Sequence, residues 1–251
     1  MVMKLNINDR AALAIKNNAK RVEIRVNKDN SKHDYDKLKK DDVIEFTSDA
    51  LGIFYVKVKE VNHYDSLEKL FTLEGTKHTV SSTDDYDEAI KNVNKLDGYK
   101  DGIKKNGVYA IHIEYLYSEN MIWEELYEKA KDVRNSRRIS GMIEAGAVGA
   151  SILTKGHNIY TGVCIDTASS LGMCAERNAI ANMITNGENE IIKLVCIDSK
   201  GNTGYPCGAC REYLMQLSKN SKNIEILKNI DTKETILLEK LIPDWWGYDR
   251  V

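Results

Sequence analysis

The fold of this chain is decided by two short stretches, Met173-Cys174-Ala175-Glu176-Arg177-Asn178 and Pro206-Cys207-Gly208-Ala209-Cys210-Arg211. The second stretch has thiols at positions i and i+3, which face the same side of the first turn of a helix and can bind one ion. Cys174 adds a third thiol from a separate helix start. The pair of thiols therefore predicts a metal site, to which Cys174 can contribute a third thiolate ligand.

The composition is that of an ordinary soluble globular protein of 251 residues, a length that predicts two domains. A formal net charge of -2 gives no basic excess that would indicate nucleic acid, so free small molecules are the expected partners. The opening residues are too few and too polar for a secretory signal, and no run of about eighteen apolar residues occurs. We therefore expect a cytoplasmic protein with no membrane partner.

The cysteines and prolines divide the chain in two. All five cysteines and both prolines follow residue 163, whereas the first 118 residues contain neither type. An odd number of clustered cysteines is typical of metal or catalytic chemistry and not of a disulfide framework. The compositional step predicts an N-terminal domain over 1–118 and a C-terminal domain over 119–251, joined near residues 117–120.

The N-terminal half has the period of strands with a few helices. Residues 21–26 alternate charged and apolar types, which predicts a half-buried strand whose charged face carries Arg21, Glu23 and Arg25. The pattern predicts further strands over 42–46, 54–61 and 108–115, and helices over 8–17, 66–71 and 85–93. Residues 95–106, rich in Lys, Asp and Gly, are predicted to be a loop with short helical pieces.

Residues 3–117 resemble the ASCH domain family. Lys20, Glu23 and Arg25 match the signature G-x-K-x-x-E-x-R, with Asn18 in place of its glycine. The resemblance implies an α+β, PUA-like small β-barrel in which these three residues line a cleft for RNA or a modified nucleoside. Some members hydrolyse cytidine acylated on its exocyclic amine. Those members have Thr where this chain has Glu23, and use a later Glu, for which Glu74 is the candidate here.

The charged residues of this strand have two interpretations. Glu23 and Arg25 on one face, with Lys20 at the strand entrance, can bind a phosphate, a carboxylate or a polar base edge. Alternatively, they form surface ion pairs, which are common and contribute little stability. The sequence alone leaves both open.

The C-terminal half reads as helix, hairpin, helix, strand, helix, strand, which predicts an α/β sandwich with a mixed sheet. A helix begins at Asn120, and two strands over 147–153 and 158–163 form a hairpin. Helices follow from Cys174 and from Pro206, with the apolar strand 191–197 between them. Residues 224–227 and 235–238 are predicted as short strands.

Residues 121–251 resemble the small cytidine deaminase family, and blasticidin deaminases share much of the same frame. The resemblance rests on the two opening stretches together with three further motifs, which are Val148-Gly149-Ala150, Ile159-Tyr160-Thr161-Gly162 and Leu241-Ile242-Pro243. It implies an α/β/α three-layer sandwich with a mixed sheet and one zinc ion per chain. It also implies a homo-oligomer, a tetramer in the family, and a catalytic Glu176.

The chemistry of deamination explains these residue types. Zinc with three protein ligands and an open fourth position lowers the pKa of water toward about 7. Glu176 transfers protons. The two helix N-termini offset the charge of the thiolates, and Arg177 or Arg211 can donate hydrogen bonds to sulfur. The alternative is a structural zinc, with Cys164, Cys196 or His157 as the fourth ligand.

The sequence departs from the family where the sugar is bound. Cys164 and Asp166 stand where the family has Asn and Glu for the ribose, and with Ala175 they are the predicted substrate-binding residues. Gly146 or Ala147 replaces an aromatic residue at the entrance. A thiol and a shorter carboxylate reach a ribose less well, so a modified cytosine nucleoside or base is a candidate substrate.

We therefore expect a zinc-dependent hydrolytic deaminase of a free, cytidine-like nucleoside or base, with an ASCH-like domain that binds a nucleoside or RNA. Two alternatives stay open. One is an RNA-binding or RNA-editing protein, in which the N-terminal domain holds RNA. The other is a bifunctional enzyme that removes an acyl group from cytidine and then deaminates it.

Overall fold

The computed structural model describes residues 2–29 and 33–251, which form two compact units, Met1–Asn120 and Met121–Val251. The division falls two residues beyond the predicted one. No helix in the described ranges is long and apolar enough to cross a membrane.

The N-terminal unit is built on one five-stranded sheet and four helices. Its elements in chain order are β1 (Val2–Asn6), α1 (Asp9–Lys16), β2 (Val22–Arg25), β3 (Val43–Ser48), β4 (Gly52–Tyr64), α2 (Leu67–Glu74), α3 (Tyr86–Asn94), α4 (Tyr99–Asn106) and β5 (Val108–Ser118). The strands lie in the order β1-β3-β4-β5-β2, with β1 parallel to β3 and the other pairs antiparallel. Irregularities in the β4–β5 register bend the long β4, as bulges do. The unit is the predicted PUA-like barrel.

Two hydrophobic clusters fill this unit. The first joins α1 to the inner side of β3, β4 and β5, around the fully buried Phe46, Phe54 and Ile111. The second lies between β2, β5 and helices α2 to α4, around Leu70 and Ala89. Glu23 and Arg25 alternate with Val22 and Ile24 on β2 and pair with Ile111 and Tyr109 of β5, so they lie on the side of the first cluster.

The N-terminal half departs from the predictions in two places. Residues 95–106 were predicted as a loop with short helical pieces, but α4 occupies most of the stretch as one helix, which begins after Gly98 in a left-handed conformation (φ 68°). The strand β1, whose register pairs Leu5 with Phe46, was not predicted. The helices α1, α2 and α3 and the strands β2 to β5 confirm the corresponding predictions within a few residues.

The C-terminal unit contains the elements α5 (Ile122–Val133), β6 (Arg137–Arg138), β7 (Ile143–Thr154), β8 (Ile159–Thr167), α6 (Ala175–Thr185), β9 (Ile191–Ile197), α7 (Gly208–Met215), β10 (Glu225–Asn229), β11 (Glu234–Leu237) and α8 (Leu238–Leu241). The sheet runs β11-β10-β9-β7-β6, and β8 pairs with β7 along its other side. The β9–β10 pair is parallel and the rest are antiparallel, which is the predicted mixed sheet.

Helices cover both faces of this sheet, because successive residues of β7 contact helices on opposite sides. On β7, Ser151 donates a hydrogen bond from Oγ to the carbonyl of Leu126 in α5 (2.6 Å). The next residue, Ile152, packs on the opposite face with Ala179, Ile180 and Leu214 of α6 and α7. The unit is therefore the predicted three-layer α/β/α sandwich.

Candidate metal centre and active site

Three cysteine thiols meet where two helices begin. Cys174 is the N-cap of α6, Cys207 is the N-cap of α7, and Cys210 lies in the first turn of α7. The Sγ atoms of Cys174 and Cys210 each lie 3.6 Å from Sγ of Cys207, and all three sulfurs lie within 4.8 Å of one another. These distances suit three ligands around one ion. The predicted metal ligands are therefore brought together.

The chemistry of this donor set fits zinc. In the described ranges the cluster contains only these three donor residues. Cys164, Cys196 and His157 are outside it, so the fourth ligand that a structural zinc requires is not supplied there. Three ligands with an open position are typical of a catalytic zinc.

The surroundings shift the pKa values of the three thiols in different directions. Burial raises the pKa of the Cys174 thiol, and burial followed by the charge of Glu176 raises the pKa of the Cys210 thiol. Burial also opposes ionisation of Cys207, but the backbone N–H groups of Cys210 and Ala209 and the neighbouring thiols outweigh it, and its pKa is lowered. A cation bound between the sulfurs favours the thiolate at all three positions.

Glu176 lies in the first turn of α6 and is only 5% exposed. Its charge affects the thiols of Cys174, Cys210 and Cys196, so its carboxylate lies against the cluster without belonging to it. The arrangement gives a buried proton acceptor directly beside the metal site.

The two arginines near the cluster differ in their partners. Arg177 donates from Nη2 to the carbonyl of Gly172 (3.3 Å), while its Nε is buried without a hydrogen-bond partner. A buried orphan donor here suits a thiolate acceptor. Arg211 instead donates to the carbonyls of Pro206 (2.8 Å) and Leu241 (3.0 Å). Arg211 therefore links the segment before Cys207 to the C-terminal end of α8.

The position of α6 depends on a close approach to β8. A Cβ atom at Gly162 would lie 2.3 Å from the backbone N of Ala179 and 2.4 Å from the carbonyl O of Ala175. Asn178 adds a hydrogen bond from Nδ2 to the carbonyl of Val163 (2.7 Å). Gly162 thus lets α6 lie directly on the sheet, which places Cys174 and Glu176 at the end of β8.

The predicted substrate-binding residues are in different environments. Ala175 is fully buried, and Cys164 is 8% exposed. The Cys164 sulfur accepts a hydrogen bond from Val148 N (3.2 Å), and its thiol donates to Asp166 Oδ2 (3.5 Å). The Val148 N–H belongs to an irregular stretch of β7 in which Gly146 has φ 85°. Only Asp166 of the three is exposed to a ligand.

Asp166 belongs to a polar row that the sequence did not reveal. It pairs directly with Glu144 on β7, and Glu144 pairs with Arg138 on β6. Directly opposed residues of antiparallel strands lie on one face, and the three line a cavity of about 270 Å³. Gly162 and Asp166 share a face of β8, which is the face that α6 contacts at Gly162. Of this row, only Asp166 was predicted from the sequence, as a substrate-binding residue.

Lys20, Glu23 and Arg25 form a buried ion cluster, with Glu23 at its centre. Glu23 Oε2 lies 3.2 Å from Lys20 Nζ, and Glu23 Oε1 lies 2.9 Å from Arg25 Nη2. Lys20 and Glu23 are only 6% and 7% exposed, so the interpretation as surface ion pairs is wrong. Burial opposes ionisation of Glu23, but the charges of Lys20 and Arg25 lower its pKa.

The cluster lines a cavity of about 350 Å³ that also includes Thr79, Asn92 and Tyr99. Lys20 Nζ donates to the carbonyls of Val22 (2.7 Å) and Thr79. Arg25 donates to the carbonyl of Asn6 (3.2 Å), but its Nε is buried without a partner. The ion cluster of Lys20, Glu23 and Arg25 therefore brings one excess positive charge to the cavity, and Arg25 Nε is a donor without a partner.

Glu74, the candidate for a hydrolytic carboxylate, does not line this cavity. It accepts hydrogen bonds from Tyr64 OH (2.6 Å) and Asn62 Nδ2 (3.0 Å), and its Oε2 lies 3.0 Å from His112 Nε2. The structure therefore separates Glu74 from the Lys20, Glu23 and Arg25 cluster.

Comparison with known families agrees with the two units. Residues 122–224 match the family model described as the cytidine and deoxycytidylate deaminase zinc-binding region. Residues 5–116 match the model of the ASCH domain. Each match lies within one unit.

Known relatives match the C-terminal unit. The cytidine deaminase of Mycobacterium tuberculosis is 30% identical over 104 residues, which are 41% of this chain and 74% of that protein. The cytidine deaminase of Mycoplasma genitalium is 28% identical over 95 residues, or 37% of this chain and 73% of that protein. The crystal structure of cytidine deaminase from Mycobacterium leprae covers 49% of this chain and 98% of its own, with 25% identity and a TM-score of 0.41.

Proposed function

The chain belongs to the cytidine deaminase family through its C-terminal unit, and from this premise we propose that it deaminates a free cytosine nucleoside or base, including modified ones. The C-terminal unit is a zinc-dependent aminohydrolase. The proposal concerns the identity of its substrate. The observation that supports it most directly is the set of three thiols, to which the described residues add no fourth protein ligand, with the buried Glu176 beside them.

The residues of the site divide the chemistry between them. Zinc bound by Cys174, Cys207 and Cys210 supplies a Lewis acid that lowers the pKa of water toward about 7. Glu176 takes one proton from the attacking water and delivers it to the ring nitrogen, and then carries the proton of the added hydroxyl to the departing amine, so that ammonia leaves and the oxygen remains on the ring carbon as a carbonyl. The N-termini of α6 and α7 add positive potential at the sulfurs, and Arg177 Nε, which is buried without a hydrogen-bond partner, is available to donate to a thiolate.

The part of the substrate away from the reacting ring lies in the cavity lined by Arg138, Glu144 and Asp166. Two carboxylates can accept hydrogen bonds from hydroxyl or amine groups that are not on the reacting ring. Cys164 is engaged with Val148 and Asp166, which supports a mode of binding different from a direct contact of Cys164 with a ribose. Glu144 thus supplies a hydrogen-bonding group in place of the family's Asn, whose position Cys164 occupies in this chain.

A screen for ammonia release tests the proposal. The zinc-loaded protein is given cytidine, cytosine, blasticidin-type and 4-amino-substituted nucleosides, and its zinc content is measured by atomic emission. We expect about one zinc per chain and turnover of at least one cytosine compound. A protein that holds zinc and releases ammonia from none of them would contradict the proposal.

For the N-terminal unit we propose a binding role, in which the cavity around Arg25 takes a polar base edge or an anionic group. Acyl hydrolysis receives less support. Lys20 is engaged by two carbonyls and by Glu23, while Glu74 lies elsewhere. Removal of acetate from N4-acetylcytidine by the full chain would overturn this part of the proposal.

RNA binding or editing is the second candidate function, supported by the excess positive charge of the same cavity. Titration of the full chain with labelled RNA at several salt concentrations separates the two. An RNA ligand gives an affinity that falls steeply with salt, whereas a free nucleoside gives little salt dependence. An RNA affinity that is absent at low salt would leave the free nucleoside as the ligand.

The assembly is also a prediction. The family resemblance implies a homotetramer, and the N-terminal unit adds bulk that such an assembly must accommodate. Analytical ultracentrifugation of the full chain measures the mass directly. A purely monomeric protein would contradict the expected homo-oligomer.

A further inference from the structure

The β7–β8 pair contains a bulge opposite one buried thiol. Ala145 pairs with Ile165, and the pairing along β7 resumes at Gly149 with Val163. The β7 residues between these two pairs lie opposite Cys164 alone, and Cys164 is 8% exposed. Bulges are common next to active sites, where they redirect a side chain. The thiol therefore lies at a point where the backbone of β7 departs from regular pairing.

Cys164 makes two hydrogen bonds at this bulge. Its sulfur accepts from the backbone N of Val148 (3.2 Å), and its thiol donates to Oδ2 of Asp166 (3.5 Å). A backbone N–H group that lies in a bulge needs an acceptor other than the neighbouring strand, and the sulfur provides one. The Cys164 side chain therefore connects the bulged backbone of β7 to the Asp166 carboxylate, two residues further along β8.

The Asp166 carboxylate requires such a restraint. Asp166 is directly opposite Glu144 of β7, and both residues are exposed. Like charges at directly opposed positions of antiparallel strands repel each other. Within residues 2–29 and 33–251, neither carboxylate forms an ion pair, and Cys164 is the only side chain that donates to Asp166. The thiol therefore holds Oδ2 at a place from which the charge of Glu144 would displace it.

Cys164 can act on a ligand only through Asp166. Glu144 and Asp166 line the cavity of about 270 Å³, whereas Cys164 does not. Residues two apart on a strand lie on one face, so the thiol lies on the same side of β8 as Asp166. The thiol binds Oδ2, and Oδ1 therefore remains free to accept from a ligand in the cavity.

We propose that Cys164 is a positioning residue for the substrate: its thiol fixes Oδ2 of Asp166 so that Oδ1 accepts from a hydroxyl group of a cytosine nucleoside. This inference rests on the proposed deaminase function and deepens it, because it names the nucleoside, and not the free base, as the favoured substrate. Free cytosine has no sugar hydroxyl to donate, so its binding gains nothing from the orientation of Asp166.

The experiment compares Cys164→Ala with Cys164→Ser in the full-length, zinc-loaded protein. It measures kcat and KM for the most active nucleoside of the ammonia-release screen, and the inhibition constant of free cytosine against that nucleoside. Alanine removes the donor to Asp166, so we expect KM for the nucleoside to rise about threefold, the effect of one weak hydrogen bond. The kcat, the zinc content and the inhibition constant of cytosine should change little. Serine keeps a donor and an acceptor, and its KM should stay near that of the unmodified protein.

A double-mutant cycle shows whether the effect passes through Asp166. Asp166→Ala removes the carboxylate that the thiol holds, so adding Cys164→Ala to it should raise KM no further. The packing control is Leu153→Val, since Leu153 is 1% exposed and shares with Ser151 the face of β7 that packs on α5. It should lower stability without changing KM.

The inference would be overturned by a Cys164→Ala variant with unchanged KM, or by one that weakens the nucleoside and cytosine equally. A serine variant that behaves like alanine, or a full effect of Cys164→Ala in the Asp166→Ala background, would also overturn it. So would a protein that deaminates cytosine but no nucleoside. If the unmodified protein deaminates no cytosine compound, the proposed function fails instead, so the two failures are distinguishable.

Discussion

Cys174 and Cys207 occupy the same position, the N-cap, of two different helices, and their Sγ atoms lie 3.6 Å apart. The first turn of each helix concentrates free N–H groups, so both sulfurs lie in positive potential. Two helix starts directed at one point thus assemble a site for a cation with anionic ligands. Cys210, one turn into α7, completes it.

The thiols of the metal-free protein should react with iodoacetamide in a fixed order. Cys207 is exposed and has a lowered pKa, so a larger fraction of it is thiolate at pH 7 to 8. Cys210 is buried and has a raised pKa, so it should react last. Peptide mapping by mass spectrometry at successive times measures the order. Zinc should protect all three, and equal rates for Cys207 and Cys210 would contradict the prediction.

Glu176→Gln should abolish turnover and leave the metal in place. The amide has the same shape but cannot accept the proton, and a general acid–base group contributes about 10²- to 10⁴-fold to the rate. Zinc content should remain near one per chain, because Glu176 is outside the ligand cluster. Ammonia release and metal analysis on the same sample decide the point. A variant with normal turnover would remove Glu176 from the mechanism.

The metal site could be predicted from sequence because its signals are local. The apolar strand Ile191–Ile197 was also predicted with its observed bounds, since it is buried on both faces and bounded by turn residues. These features depend on spacing along the chain. They do not require knowledge of distant partners.

Features that depend on distant contacts could not be predicted in the same way. Glu23 alternates with apolar residues, which indicates a strand face but not that this face lies against the first hydrophobic cluster, where Glu23 pairs with Ile111. Gly102 lies in α4, where a Cβ atom would be only 2.6 Å from Val26 Cγ1, a residue far away in the sequence.

Glu144→Gln and Asp166→Asn should each weaken binding of the substrate substituent. Loss of one charge-assisted hydrogen bond is expected to lower kcat/KM for cytidine by about tenfold or more. The effect should be smaller for free cytosine, which lacks the hydroxyl groups. The matched control is Asp231→Asn, an exposed carboxylate in the turn between β10 and β11, at the other edge of the sheet. An equal loss for cytidine and cytosine would exclude this role.

Glu23→Gln should destabilise the N-terminal unit by about 3 to 5 kcal/mol, because it leaves the charges of Lys20 and Arg25 buried without their partner. The control is Asp29→Asn, which breaks an exposed pair with Lys105 and should cost less than about 1 kcal/mol. Urea unfolding followed by far-UV circular dichroism measures both. All three tryptophans follow residue 120, so their fluorescence reports the C-terminal unit separately.

The same variant should change how stability depends on pH. Glu23 has a lowered pKa when folded, so its contribution is fully present above the ordinary carboxyl value of 4.5 and is lost as the pH falls through the folded value. Glu23→Gln removes that loss. The unfolding free energy of the variant should therefore fall less steeply below pH 4.5 than that of the unmodified protein. If the unfolding free energies of the two proteins fell equally with pH, Glu23 would not be the group responsible for the loss of stability in acid.

Gly162→Ala should distort the metal centre, because Gly162 lies against the backbone of α6, and Cys174 is the N-cap of that helix. The added Cβ would lie 2.3 Å from Ala179 N and 2.4 Å from Ala175 O, which are backbone atoms that cannot move without the helix. Displacement of α6 moves Cys174 relative to Cys207 and Cys210. We expect a stability loss of about 1 to 3 kcal/mol and weaker zinc binding.

The control is Gly204→Ala, whose added Cβ would have no atom within 4 Å. Urea unfolding gives the stability of both variants, and competition with a chromogenic chelator gives their zinc affinity. Since α6 provides one ligand and α7 provides two, a shift of α6 alone should weaken zinc binding without abolishing it. Zinc affinity equal to that of Gly204→Ala would show that the contact of β8 with α6 does not set the geometry of the site.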